Sequence, residues 1–66
     1  MAYAKYAVDW TGGRELFDSA DEAQVGLARC RAAGNPDATA IYLGKQPELI
    51  EDAIRRGWRS YLPIRR

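Results

Sequence analysis

Residues 3–17 read YAKYAVDWTGGRELF, and this stretch decides the fold of the chain. Up to Trp10 the residues alternate between two faces, a pattern typical of a strand that is buried on one side. The apolar face carries Ala4, Tyr6, Val8 and Trp10, and the opposite face carries Tyr3, Lys5, Ala7 and Asp9. Thr11-Gly12-Gly13 predicts a tight turn, because glycine readily adopts a positive φ. Residues 14–17 are then expected to return as the second strand of a hairpin.

The segment after the hairpin predicts a helix that begins at Ser19. Ser19 and Glu22 have the spacing of a capping box, and acidic residues in the first turn suit the helix dipole. Helical spacing places four small or apolar residues on one stripe: Ala20, Ala23, Leu27 and Cys30. Gly34-Asn35-Pro36 is expected to end this helix, because glycine suits the left-handed cap and proline cannot continue a helix.

The second half of the chain predicts a strand, a helix and a final strand. Residues 38–43 form a short run with the composition of a strand. Pro47 fits the first position of the second helix, and Gly57 fits the position just after its end. Residues 58–64 alternate again, and Pro63 within them favours an edge position, since proline cannot donate a hydrogen bond to a sheet.

The second helix has an apolar and a charged face. Its inner face is expected to carry Leu49, Ile50, Ala53 and Ile54. On the outer face, Glu51–Arg55 and Asp52–Arg56 have the spacing and orientation of favourable ion pairs.

The resulting order, ββαβαβ, predicts an α+β fold: a small two-layer α/β sandwich with two helices packed on one face of a mostly antiparallel sheet. Residues 1–66 are expected to form a single small domain with a basic C-terminal segment at 55–66. A chain of this size buries only about 60% of its unfolded surface. Self-association is a common way for small domains to gain stability, so a homodimer is one expected form.

Charge is distributed unevenly along the chain. Residues 55–66 hold five arginines and no acid, whereas residues 1–54 hold five basic and nine acidic residues. This asymmetry predicts a charged partner. If residues 58–64 form a strand, Arg59 and Tyr61 point outward together while Trp58 lies in the core. The predicted partner-binding residues are Arg55, Arg56, Arg59, Tyr61, Arg65 and Arg66.

An acidic cluster lies nearer the N-terminus. Its members are Asp9, Glu15, Asp18, Asp21 and Glu22. These acids are expected to cap the first helix and solvate the turn before it. The alternative is a secondary binding patch for a basic surface, such as the arginine segment of a second copy.

The sequence has few of the residues that catalysis, metal binding or cofactor binding usually requires. The chain has no histidine and one cysteine, which leaves neither an intrachain disulfide nor the four ligands of a structural zinc site. Cys30 is expected to be a buried structural residue. Gly12-Gly13 lacks the spacing of a phosphate-binding loop. The protein is therefore expected not to be an enzyme and to need no cofactor and no metal.

The sequence also predicts a location. No apolar run approaches the roughly 20 residues needed to cross a bilayer, so no membrane partner is expected. The first residues lack a signal-peptide pattern, and a single cysteine suits a reducing compartment. A cytoplasmic location is expected.

The helix start Asp18-Ser19-Ala20-Asp21-Glu22-Ala23, placed after a hairpin, is similar to the start of the helix in HicB-type antitoxins. The second strand of that family carries a signature with proline and glycine, which residues 13–17 lack. The resemblance is confined to this region and assigns no family.

Three functions remain open. The sequence favours a non-catalytic protein-binding module, a regulator or inhibitor that occupies an acidic or mixed surface of a partner protein, because tyrosine, tryptophan and arginine are typical of interfaces. Small phage inhibitors of bacterial defence, such as anti-CRISPR proteins, belong to this class. The second function is DNA or RNA binding through the arginine segment, although a pI of 7.9 is modest for that role. The third is a self-associating accessory or antitoxin-like subunit that pairs through a sheet edge.

Overall fold

The computed structural model describes residues 4–60, and within them the elements follow the predicted order. They are β1 (Tyr6–Trp10), β2 (Gly13–Phe17), α1 (Ala20–Ala32), β3 (Thr39–Tyr42), α2 (Pro47–Arg55) and β4 (Arg59–Ser60). The final strand was predicted to reach residue 64. Residues 61–64 of that prediction, Tyr61 among them, lie outside the described residues, as do Arg65 and Arg66.

The four strands form one sheet in the order β2-β1-β3-β4. β1 pairs antiparallel with both β2 and β3, so that Tyr6 lies opposite Phe17 on one side and Tyr42 on the other. β4 runs parallel to β3, with Arg59 opposite Ile41. The prediction of a mostly antiparallel sheet is confirmed.

The core lies between one face of the sheet and both helices. Its strand residues are Tyr6, Val8, Ala40 and Tyr42, Trp58 joins them from the position just before β4, and its helix residues are Ala23, Leu27, Ile50 and Ala53. The Tyr6 ring lies 5.1 Å from the Tyr42 ring and meets Trp58 edge-on at 6.1 Å between centroids. Because α1 and α2 share this cluster, both pack on the same face, as predicted. The prediction that Trp58 lies in the core is confirmed by its exposure of 7%.

The hairpin turn forms where it was predicted, but the reason given for its glycines is wrong. Neither Gly12 nor Gly13 has a positive φ. Thr11 instead anchors the turn to the loop before β3, since its N–H and its hydroxyl donate to the Asp37 carboxylate at 2.7 and 2.5 Å. A Cβ on Gly12 would lie 2.7 Å from Nε1 of Trp10, so glycine is needed there for close approach to the indole.

The helix ends follow the predicted signals. Ser19 caps α1 by accepting a hydrogen bond from the Glu22 N–H at 3.2 Å. The Glu22 carboxylate accepts from the Ser19 hydroxyl rather than from its backbone N–H, which is a variant of the capping box. Positive φ occurs at Gly34 (105°) and Gly57 (83°), the glycines that follow the two helices. No helix within residues 4–60 has the length and apolar character to cross a bilayer.

Two details of α2 differ from the prediction. Ile54 was expected to face inward and is 51% exposed, because it lies about 100° around the helix from the buried Ala53. The Asp52–Arg56 ion pair is confirmed at 2.8 Å. The predicted Glu51–Arg55 pair is wrong. Arg55 instead approaches Asp52, three residues before it on the helix, at 4.0 Å.

Candidate functional site

The sheet face opposite the helices carries an apolar row. The strand register places Leu16, Ala7, Ile41 and Arg59 side by side across all four strands. Both helices pack on the other face, so no second layer within residues 4–60 covers this row. Leu16 is 56% exposed, whereas Ala7, expected on an outward face, is fully buried. We call this surface the open sheet face.

A charged pair borders the apolar row on the same face. Arg14 lies opposite Asp9 across the hairpin and donates from Nε and Nη2 to its two carboxylate oxygens at 2.5 and 2.9 Å. These hydrogen bonds hold the pKa of Asp9 below its usual value, burial opposes them, and the positive charges of Arg14 and Arg59 add to the lowering. Asp9 is therefore an anion whose charge is already matched within the domain.

The structure separates the predicted partner-binding arginines. Arg59 lies on the open sheet face, whereas Arg55 and Arg56 lie at the end of α2 in the helix layer. Arg56 is engaged by the domain itself, through Asp52 at 2.8 Å and through Oε1 of Gln24 at 3.1 Å. Arg55 is the more accessible of the two, with 74% of its side chain exposed. Of the described arginines in the predicted set, only Arg59 borders an uncovered apolar surface.

The predicted acidic cluster is also divided between two faces. Asp9 lies on the open sheet face, while Glu15 points to the helix side of β2. Asp21 and Glu22 occupy the first turn of α1, where they suit the helix dipole and Glu22 takes part in the cap. Asp18 directly precedes that cap. The acids therefore do not form one continuous patch.

An open groove between β2 and α1 was not predicted from the sequence. A volume of about 360 Å³ is lined by Phe17, Asp21, Glu22, Val25, Gly26 and Arg29. A second volume of about 200 Å³ continues along α1 past Arg29 to Cys30 and Trp10. Gly26 was the available signal, because a glycine within a helix often marks a close approach. Here the tip of the Phe17 ring points at it.

Cys30 is less buried than predicted. It packs against the edge of the core but is half-buried and lines the groove, since α1 turns that side toward the sheet edge. Within residues 4–60 no group of His, Cys, Asp and Glu side chains is placed to hold a metal ion. No protein-family model, curated protein or solved structure matches the chain.

Proposed function

We propose that this protein is a non-catalytic protein-binding module that uses the open sheet face to occupy the surface of a partner, as a regulator or inhibitor does. The observation that supports this is the row of Leu16, Ala7 and Ile41 ending at Arg59, which neither helix covers and in which Leu16 is 56% exposed. An apolar centre with a polar rim is typical of protein interfaces, and arginine is enriched among the residues that dominate binding energy. Within residues 4–60 no further layer packs on this face.

The charges around the row indicate the chemistry of the partner. Asp9 is matched by Arg14, so it adds little net charge to the face. Lys5 precedes Ala7 by two residues on the same side of β1, and both Lys5 and Arg59 are exposed. Neither forms an ion pair within residues 4–60. The partner surface that complements this arrangement is an apolar patch with carboxylates at its margin, which the planar fork of arginine binds in a bidentate manner.

Arg59→Ala and Arg55→Ala together test this proposal. Both changes remove one exposed arginine, but only Arg59 lies on the open sheet face. Proteins captured from lysate on the wild type are identified, and the binding of each purified candidate is measured by calorimetry. We expect Arg59→Ala to weaken the specific complex about tenfold, as loss of an interface arginine does, and Arg55→Ala to leave it unchanged. Equal losses in both variants, or a loss confined to Arg55→Ala, would contradict the proposal.

Nucleic-acid binding is the competing outcome. Fluorescence anisotropy of labelled RNA, single-stranded DNA and duplex DNA is measured at about 50 and about 200 mM salt, because contacts with phosphates weaken steeply over that range. The proposal expects no binding at the lower salt concentration. Micromolar affinity that falls with salt would replace it with a nucleic-acid function of the arginine segment.

A further inference from the structure

β2 is an edge strand whose outer side is unpaired within residues 4–60. The two-residue turn makes Trp10 and Gly13 a hydrogen-bonded pair, so Gly13, Glu15 and Phe17 direct their backbone groups toward β1. The N–H and C=O groups of Arg14 and Leu16 therefore point outward. Residues 13–16 are all exposed. An edge of this kind is a template for another strand.

We propose that β2 pairs antiparallel with β2 of a second copy of this chain, with Leu16 opposite Leu16 of the partner subunit. A two-fold axis beside Leu16 then joins the two sheets into one, with all helices on the same side. This pairing sets the two Leu16 side chains next to each other on the open sheet face and lowers the exposure of a residue that is 56% exposed in the single chain. The dimer thereby joins the apolar rows of the two copies, but the pairing itself uses backbone groups at the sheet edge and does not rest on the proposed function.

Charge complementarity selects this register. The outward backbone groups belong to even-numbered residues, so only registers that oppose even-numbered residues form hydrogen bonds. With Leu16 on the axis, Arg14 faces Asp18 of the partner subunit, the residue directly after the end of its β2, and the same contact recurs on the other side. Arg14 uses Nε and Nη2 for Asp9, which leaves Nη1 for this second carboxylate.

The neighbouring registers are disfavoured by the same residues. Placing Arg14 opposite the partner's Leu16 sets Glu15 directly opposite Glu15 of the partner subunit. At a pair without hydrogen bonds the two Cα atoms are about 4.5 Å apart, so the two carboxylates repel each other. Placing Arg14 on the axis opposes two arginines. Like charges directly opposite each other destabilise a sheet. A shift in the other direction places Arg14 opposite Ala20 of the partner subunit, the first residue of its α1, where the backbone is helical and cannot pair with a strand.

The groove beside α1 provides independent support. Phe17 follows Leu16 and points at Gly26, so the middle of the groove lies close to the proposed axis. Val25, 55% exposed, lies next to Gly26, with Glu22 one turn before it and Arg29 one turn after it. The two-fold axis makes the two α1 helices antiparallel neighbours, with the grooves of the two copies facing each other between them. Glu22 of each chain then approaches Arg29 of the partner subunit, and the two Val25 side chains face each other.

Disulfide trapping tests the register. In a Cys30→Ser background, Leu16→Cys places the two thiols at a hydrogen-bonded pair with Cα atoms about 5.5 Å apart, within disulfide range. Gly13→Cys is the control on the same strand, because Gly13 is exposed, has no side chain in the proposed contacts, and its two copies lie roughly 20 Å apart in this register. Arg14→Cys reports the competing register with Arg14 on the axis. Mild oxidation should give a covalent dimer from Leu16→Cys and none from Gly13→Cys or Arg14→Cys.

Sedimentation velocity up to about 1 mM protein tests the association itself. Leu16→Lys should raise the dimer dissociation constant at least about tenfold, because two ammonium groups then meet at the axis. Ile54→Lys, which introduces the same charge at a similarly exposed position in the helix layer, should leave the dissociation constant unchanged. Circular dichroism monitors folding of each variant. A wild-type monomer across this range, a dimer unaffected by Leu16→Lys, or cross-linking at position 14 instead of 16 would overturn the proposal.

Discussion

The guanidinium carbon of Arg56 lies 5.0 Å from the centroid of the Trp58 ring. The same side chain pairs with Asp52 on α2 and donates to Gln24 on α1. Arg56 therefore ties both helices together and covers the aromatic residue that closes the core. An arginine that the sequence places among binding residues contributes to the packing of the domain.

Arg56→Ala should lower the free energy of unfolding by about 1–2 kcal/mol, because it removes a cation–π contact and a partly exposed ion pair. The measurement is urea denaturation followed by circular dichroism. Arg55→Ala is the control, since its side chain is 74% exposed, and it should change stability by no more than about 0.5 kcal/mol. Equal effects of the two substitutions would show that the contact with Trp58 adds nothing.

Trp58→Ala and Arg59→Ala should differ sharply although the residues are adjacent. Trp58 is 7% exposed within the core, so its loss should cost about 3–5 kcal/mol, enough to unfold a domain of this size. Arg59 points to the opposite face, so Arg59→Ala should change the free energy of unfolding by no more than about 0.5 kcal/mol. Thermal melts of the two variants provide the test. A melt retained by Trp58→Ala and lost by Arg59→Ala would invert the assignment of faces.

Gly26→Ala should destabilise the domain even though alanine is the better helix former. A Cβ at this position would lie 2.8 Å from Cε1 and Cε2 of Phe17, so the ring must move. Overpacking of this kind costs about 1–3 kcal/mol, which exceeds the roughly 1 kcal/mol that alanine gains in helix propensity. Chemical denaturation of the variant measures the balance.

A double-mutant cycle isolates the cause. In a Phe17→Ala background the ring is absent, and Gly26→Ala should become stabilising by about 0.5–1 kcal/mol. If Gly26→Ala has the same effect in both backgrounds, Phe17 does not constrain this position.

Asp37 should make the hairpin anchor sensitive to acid. The hydrogen bonds from the hydroxyl and then the N–H of Thr11 lower the pKa of Asp37 below its usual value of 3.8, and burial opposes them slightly. A lowered carboxyl pKa in the folded state stabilises the protein fully above 3.8, and this stabilisation is lost as the pH falls toward the lower folded-state pKa. Asp37→Ala should therefore melt below the wild type at neutral pH, and the two melting temperatures should converge in acid.

Glu51→Ala is the control for Asp37→Ala, because Glu51 is an exposed acid with no ion pair within the described residues. Its melting temperature should stay close to that of the wild type at neutral pH. A difference between Asp37→Ala and the wild type that persists unchanged at low pH would show that the anchor does not depend on the carboxylate.

The local elements could be predicted from the sequence because their signals act over a few residues. Ser19 caps α1, Pro47 begins α2 and Gly57 follows it with a positive φ, each by hydrogen bonds or backbone preferences within one turn. Alternation likewise placed Trp58 in the core and Arg59 outside it. The order of elements follows from such signals alone.

Tertiary structure decided how these elements meet. Only the sheet order shows that β2 is an edge and that Leu16, Ala7, Ile41 and Arg59 share a row, because contacts between distant strands leave no periodic trace in the sequence. The groove beside Gly26 likewise depends on how α1 packs against β2, which the sequence does not indicate. Charged residues that are close in sequence, such as Arg56 and Arg59, lie in different layers. Arg56 is at the end of a helix and Arg59 is in a strand, and side chains repeat every 3.6 residues in a helix but every two in a strand. The sequence by itself determined the elements and most of their inward residues. Packing determined the exceptions, such as the exposed Ile54 and the buried Ala7, and decided which outward residues form a surface.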